Sequence, residues 1–226
     1  MGKYQLDDKG KALVQRFHEK HSKGGSSKKD RVASLREQFL NKKQEKVRIA
    51  SRFSYSGEGN MELRRPRLAD KETVLEMMAE FEKSQSAHDG GFWDTENFVY
   101  EEWLEENLQA EAGFNIPENW VPAIQLVSFD VAGQALGFLN LRLRLNDYLL
   151  EKGGHIGYSI RPSERGKGYA KESLRQGLQI AKEKNIHRVL VTCSIKNPAS
   201  RAVILANGGQ LEDIRHETER YWVDLE

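Results

Sequence analysis

Residues 156–170 read IGYSIRPSERGKGYA, and they put two cations and two glycines where a strand hands over to a helix. Ile156, Tyr158 and Ile160 alternate as a strand does, whereas Ala170, Leu174, Leu178 and Ala181 recur at three- or four-residue steps. The backbone N–H groups at a helix start lack intrahelical partners, and the helix dipole is positive there. Glycine lets an anion reach those amides, and Arg165 and Lys167 add full charges. The run Arg165, Gly166, Lys167, Gly168, Tyr169, Ala170 therefore suits a phosphate or pyrophosphate. A solvated basic turn would use the same residues, and the local pattern divides evenly between the two. This turn has neither the GxxxxGK[ST] nor the GxGxxG spacing.

Other reactive side chains are few. Cys193 is the single cysteine, which excludes an internal disulfide and any multi-cysteine metal site. It stands in an alternating apolar strand, where a buried structural thiol is the simpler reading than an acyl-cysteine. His18 and His21, in HEKH, have no supporting ligands, so no metal is expected.

These residues need a scaffold, and its order is legible. From Met61 the pattern runs strand, two helices, a hairpin of AIQLVSFD and ALGFLNLRLRL turning at VAGQ, a strand, and a long helix. A strand, a short helix stopped by glycines and two closing strands follow. The expectation is an α/β (α+β) chain: a mixed sheet of six or seven strands with helices on both faces. Asp70 is the expected N-cap of the first helix in this region. Residues 1–53 read as a basic, mostly helical extension, 54–60 as a linker, and 61–226 as the main domain. The formal charge of +1 conceals +8 in residues 1–60 and −7 in the rest. No apolar run is long enough to span a membrane, and the N-terminus lacks the apolar centre of a secretory signal. A cytoplasmic location is the expectation, with nucleic acid an unfavoured partner for the basic arm.

The turn resembles the [QR]-x-x-G-x-[GA] motif of the GCN5-related N-acetyltransferases (GNAT), with the same strand before it and the same helix after it. The element order of residues 61–226 is similar to that family's, and NPASRAVILANGG resembles its later helix. The resemblance covers about three quarters of the chain and leaves residues 1–60 aside. Within the family, GGHIGYSIRPSERGKGYA and the closing RYW look most like a bacterial group of unknown substrate. It implies acetyl-CoA as co-substrate, with the pyrophosphate on residues 166–170. The pantetheine arm would lie along the backbone of Tyr158, Ser159 and Ile160, and Asn197 and Ser200 would face coenzyme A. Pro162 fits independently, since it lacks an N–H and should end ladder pairing there.

Acetyl transfer to an amine needs a base, oxyanion donors and an acid for the departing thiolate. His155 stands where many family members carry a glutamate, and its small alternation partners Gly157 and Ser159 leave room for a substrate, so it is the expected base. The family's tyrosine acid falls here on Ile204. Tyr221, Tyr158 or water remain as the acid, with Tyr221 the residue named. Between Ser84 and Leu141 there are ten Asp or Glu and no Lys or Arg. Glu102 and Trp103 in that stretch suit a cationic amine, while Arg142 and Arg144 suit a carboxylate. The expectation is an N-acetyltransferase acting by direct transfer on a small-molecule or peptide amine, with a homodimer through the closing strands. The alternatives are an acetyl-CoA-binding sensor and an RNA-associated protein using the basic arm.

Overall fold

The computed structural model describes residues 61–93 and 97–225. The expectations for residues 1–60, helices, linker and arm alike, lie outside the described residues. The chain from Glu58 to Glu226 forms one compact unit. Its strands are β1 (Met61–Arg64), β2 (Ala123–Asp130), β3 (Ala135–Arg142), β4 (Ile156–Ile160), β5 (Arg188–Ser194), β6 (Gln210–Arg215) and β7 (Thr218–Asp224). Its helices are α1 (Lys71–Lys83), α2 (Tyr100–Ala112), α3 (Asp147–Glu151), α4 (Tyr169–Glu183) and α5 (Pro198–Ala206). The expected order appears, with the one-turn helix α3 added between β3 and β4.

All seven strands form a single sheet in the order β1-β2-β3-β4-β5-β7-β6. Every neighbouring pair is antiparallel except β4 with β5. β2 and β3 are buried along nearly their whole length because both faces of the sheet are covered. On one face Leu174, Leu178 and Ala181 of α4 pack over Leu139, Leu141, Ile156, Val189 and Val191. On the other, Val74, Met77, Met78 and Phe81 of α1 join Tyr100 and Trp103 of α2 over Val127, Phe129 and Phe138. The strands thus read as continuous apolar runs in sequence, while α4 shows a clean apolar stripe. Among the described residues no helix is long and apolar enough to cross a membrane.

Asp70 stands at the N-cap position of α1 but makes no side-chain cap to it. Its carboxylate accepts from Arg64 Nη1 and Nη2 at 2.6 and 2.8 Å and from the Arg67 amide at 2.7 Å. A guanidinium offers two charge-assisted bonds, more than a helix amide can match, so the side chain locks the β1–α1 corner instead.

The end of β4 is fixed in the same way. Arg161 is buried, and its Nε donates to Glu80 Oε2 at 2.6 Å, its Nη2 to Glu76 Oε1 at 3.1 Å and its Nη1 to the Ala135 carbonyl at 3.2 Å. Glu80 also accepts from the Ser163 amide and hydroxyl, at 2.7 and 3.1 Å. Arg161 is the buried member of this cluster, so removing it strips the packed stem and the bonds that hold Glu80 and the Ala135 carbonyl. Arg161→Ala is expected to lower unfolding stability by about 3 kcal/mol, read as a shift in the urea midpoint. A change within experimental scatter would show that the pair does not hold β4.

Candidate functional site

The site begins where β4 and β5 stop being neighbours. The two parallel strands share one registered pair, Ile156 with Val191. Just before it, the His155 amide donates to the Leu190 carbonyl at 2.7 Å, and the Leu190 amide donates to His155 Nδ1 at 2.9 Å. A side chain has replaced the next backbone acceptor. Gly154 makes this approach possible: its φ is +59°, and a Cβ there would meet the Leu190 carbonyl oxygen at 2.4 Å. Beyond Ile156, β4 stays with β3 while β5 stays with β7. A cleft of about 1410 Å³ lies against this parting, with Gly157 and Tyr158 of β4 and Thr192 and Cys193 of β5 on its walls.

At the far end of β4 lies the Arg-Gly-Lys-Gly turn. Gly166 and Gly168 adopt φ of +76° and +88°, and open space surrounds the position of a Cβ at each. Gly168 occupies the N-cap position of α4. None of the backbone amides from Gly166 to Lys171 donates to an acceptor among the described residues. The two cations are less free than their sequence suggests. Arg165 donates to the Ile160 carbonyl at 2.9 Å and to Ser86 Oγ at 2.6 Å, while Lys167 pairs with Glu164 at 2.8 Å. The amides, more than the side chains, are the anion-facing groups. Asn197 caps α5 by accepting from the Ser200 amide at 3.0 Å. The Ser200 hydroxyl lies 2.9 Å from the Tyr158 hydroxyl, a hydrogen bond that links β4 to α5. Asn197, Ser200 and Tyr158 all line the cleft.

The opposite wall comes from residues 88–93 and α2. Gly90 is pressed onto β4: a Cβ there would meet the Gly157 carbonyl oxygen at 2.2 Å. Its own carbonyl accepts from buried Gln125 Nε2 at 2.8 Å. This clamp brings His88 and Asp89 to the cleft. His88 Nδ1 lies 2.9 Å from the Gly91 carbonyl, which can only accept, so Nδ1 carries the hydrogen, and in the neutral ring Nε2 is the acceptor. The imidazole stacks on Trp93 at 3.9 Å between ring centroids. Trp103 and Trp120 complete an aromatic lining. Sequence reasoning missed His88, Asp89 and Gly90. The signal was the pair of glycines after them in HDGG, which permits close backbone approach.

The residues expected to do chemistry divide. Trp103 and Arg142 line the cleft, as does Glu106, but Glu102 and the exposed Arg144 do not. Helical spacing explains the first: the face of α2 carrying Trp103 also carries Glu106 and Asn107, and Glu102 turns away. β3 ends at Arg142, so Arg144 is no longer on its ladder. His155 does not line the cleft; it is 7% exposed, with Nδ1 committed to Leu190. Burial, and then the Arg142 charge, push its pKa down to about 4. That geometry suits a structural pin and not a proton acceptor. Tyr221 is likewise buried, its hydroxyl donating to Glu219 Oε2 at 2.9 Å. Glu219 also receives Arg201 Nη2 at 2.6 Å and the Cys193 thiol at 3.4 Å. Burial and Glu219 push that thiol up to about 12. Among the described residues no cluster of His, Cys, Asp or Glu could hold a metal ion.

A family model for the acetyltransferase (GNAT) domain matches residues 60–210. No curated protein matches the chain. Among solved structures it is similar to the ribosomal-protein-S5-alanine acetyltransferase from Vibrio fischeri, at 18% identity and a TM-score of 0.56, covering 74% of this chain and 94% of that one. It is also similar to RimL, a ribosomal L7/L12 α-N-protein acetyltransferase, at 21% identity and a TM-score of 0.52, covering 74% and 92%. A second RimL structure, in complex with coenzyme A, aligns at 19% identity and a TM-score of 0.52, covering 74% and 96%. At these identities the likeness is one of fold.

The placement of His155 has a measurable consequence. Between the ordinary histidine pKa, near ~6.5, and about 4, the unfolded chain binds a proton that the folded chain refuses. Its contribution to stability is complete above that ordinary value and is lost as pH falls through this window, by about 3 kcal/mol at most. Unfolding free energy measured against pH should fall less steeply over this range for His155→Gln than for the wild type. Parallel curves would place the imidazole in water.

Proposed function

The chain belongs to the acetyltransferase (GNAT) family, and on that premise we propose that it moves an acetyl group from acetyl-CoA directly to a primary amine. One observation carries the donor half of this reading: the amides of residues 166–171, which find no acceptor among the described residues, follow a strand edge that its parallel neighbour has left. The amides at the start of α4 suit a pyrophosphate. In an antiparallel ladder alternate residues face alternate neighbours. Arg161 donates its amide to Leu136 of β3, so Tyr158 and Ile160 turn theirs to the parted side, where an extended pantetheine arm can add as a strand. Asn197 and Ser200 at the start of α5 line the cleft together with Tyr158. Acetyl-CoA supplies the thioester carbonyl that an amine attacks.

The remaining roles fall to residues on the cleft. An amine attacks only as the neutral base, so a proton must leave it. His88 takes that proton on Nε2, because its Nδ1–H is held by Gly91. This assignment replaces His155. The Tyr158 hydroxyl, on the cleft and bonded to Ser200, is the acid for the thiolate, in place of the buried Tyr221. Burial above all pushes its pKa up to about 12, which keeps the phenol protonated and able to donate. The thiol chemistry supports direct transfer. RimL has been seen with coenzyme A in a disulfide to one of its cysteines. Here the one cysteine is hydrogen-bonded to Glu219 with its thiolate suppressed, so an acyl-cysteine has no ready nucleophile.

Two measurements test this reading. Calorimetric titration of acetyl-CoA should show saturable binding to the wild type and none to Gly168→Glu, whose carboxylate would enter the anion position. Equal binding to both would remove the turn from the site. In a free-thiol release assay, His88→Gln should lower kcat by about 100-fold or more while leaving acetyl-CoA binding unchanged. An unchanged kcat would return the search for the base to Asp89 or water.

A further inference from the structure

The cleft holds a charge that no carboxylate among the described residues pairs with directly. Arg142, the last residue of β3, lines the cleft. Its Nη1 donates to the Gly153 and Gly154 carbonyls at 2.9 and 3.2 Å. These are neutral acceptors, and no carboxylate forms an ion pair with Arg142 among the described residues. The contrast with Arg161 and Arg201, each on a glutamate, is marked. Burial disfavours the guanidinium charge at this place, and Asp89 and Tyr148 act on it only at longer range. A largely desolvated cation without a counter-ion is costly unless something supplies one.

The other terminal nitrogen of this guanidinium reaches the contact between Gly157 and Gly90. Arg142 Nη2 and the Gly90 amide lie 3.3 and 3.2 Å from one point above Gly157, the position its absent Cβ would take. Arg142 is therefore adjacent to the clamp that carries His88 and Asp89, at the root of the β4 edge. Trp93, Trp103 and Trp120 line the same cleft and offer an apolar surface. Asp89 and Glu106 on the same lining can receive an ammonium, and a molecule bearing a carboxylate a few bonds from its amine would also be attracted by Arg142. Arginine binds carboxylates with paired, charge-assisted hydrogen bonds.

Building on the acetyltransferase reading, we propose that the acceptor is an amino acid with a free carboxylate and a large apolar side chain, whose carboxylate Arg142 binds. The amine then lies toward His88 and the side chain toward the tryptophans. Arg142 positions the acceptor; the carboxylate itself takes no part in acetyl transfer.

The test compares L-phenylalanine, L-phenylalaninamide and phenethylamine, titrated into the full chain without acetyl-CoA and followed by tryptophan fluorescence excited at long wavelength. The free acid should bind about tenfold or more tightly than either carboxylate-free ligand, as a charge-assisted pair requires. In Arg142→Gln that preference should fall to about one, while phenethylamine affinity stays as in the wild type. The wild-type preference decides the question even if the variant does not fold. Equal affinities for the acid and the amide would overturn the proposal in favour of a peptide N-terminus or a simple amine. Failure of all three to bind would overturn it as well. A loss of affinity in Arg142→Gln equal for all three would make Arg142 a structural support of the Gly153–Gly154 turn. Because acetyl-CoA is absent, failure of the donor reading would appear separately, in the calorimetric titration.

Discussion

β4 and β5 run parallel for one registered pair and then separate, and the site depends on that separation. A parallel ladder needs free N–H and C=O groups on both strands. Here the Leu190 amide is taken by the His155 ring, so pairing is diverted at its root. At the other end, Arg161 ties β4 to Glu76 and Glu80 of α1. β5 meanwhile pairs with β7 from Arg188 to Ser194. Each strand is thus anchored to its outer neighbour, and the space between them is held open by the rest of the sheet. Pro162, lacking an N–H, contributes at the exit.

Polar networks on each side of that space do structural work for which sequence reading had offered catalytic roles. Arg201 grips Glu219 with two nitrogens, and Glu219 in turn receives the Tyr221 hydroxyl and the Cys193 thiol. The network stiffens β5 and β7 below the cleft and leaves neither the tyrosine nor the cysteine free. His155 is similarly consumed. Among the described residues, groups on irregular backbone reach the cleft or stay open beside it: the amides at the start of α4, and His88 and Asp89 ahead of Gly90. Loops carry unspent donors and acceptors because no ladder or helix claims them.

How much of this could be read beforehand varied with the range of the interaction. The seven strands, the hairpin turn and the glycine turn before α4 rest on local patterns, and they appear where those patterns put them. Asn197 and Ser200 reach the cleft because the helix start that carries them is a local feature. Alternation alone places His155 beside Gly157 and Ser159, while the Leu190 amide that takes its ring is 35 residues away. Glu102 and Glu106 are equivalent in composition, and only the packing of Trp103 under Phe138 selects which of them meets the cleft.

The sequence by itself determined the order of elements, the two-faced burial of the central strands and a glycine-lined helix start able to receive an anion. Those follow from periodicity, turn residues and backbone chemistry within a few positions. The tertiary structure alone decided which side chains stay free to act. That choice turns on long-range partners: Leu190 for His155, Glu219 for Tyr221 and Cys193, Gly157 for Gly90. A buried polar group must find a partner wherever the fold brings one. Its residue type and its neighbours in sequence do not reveal whether it has been used.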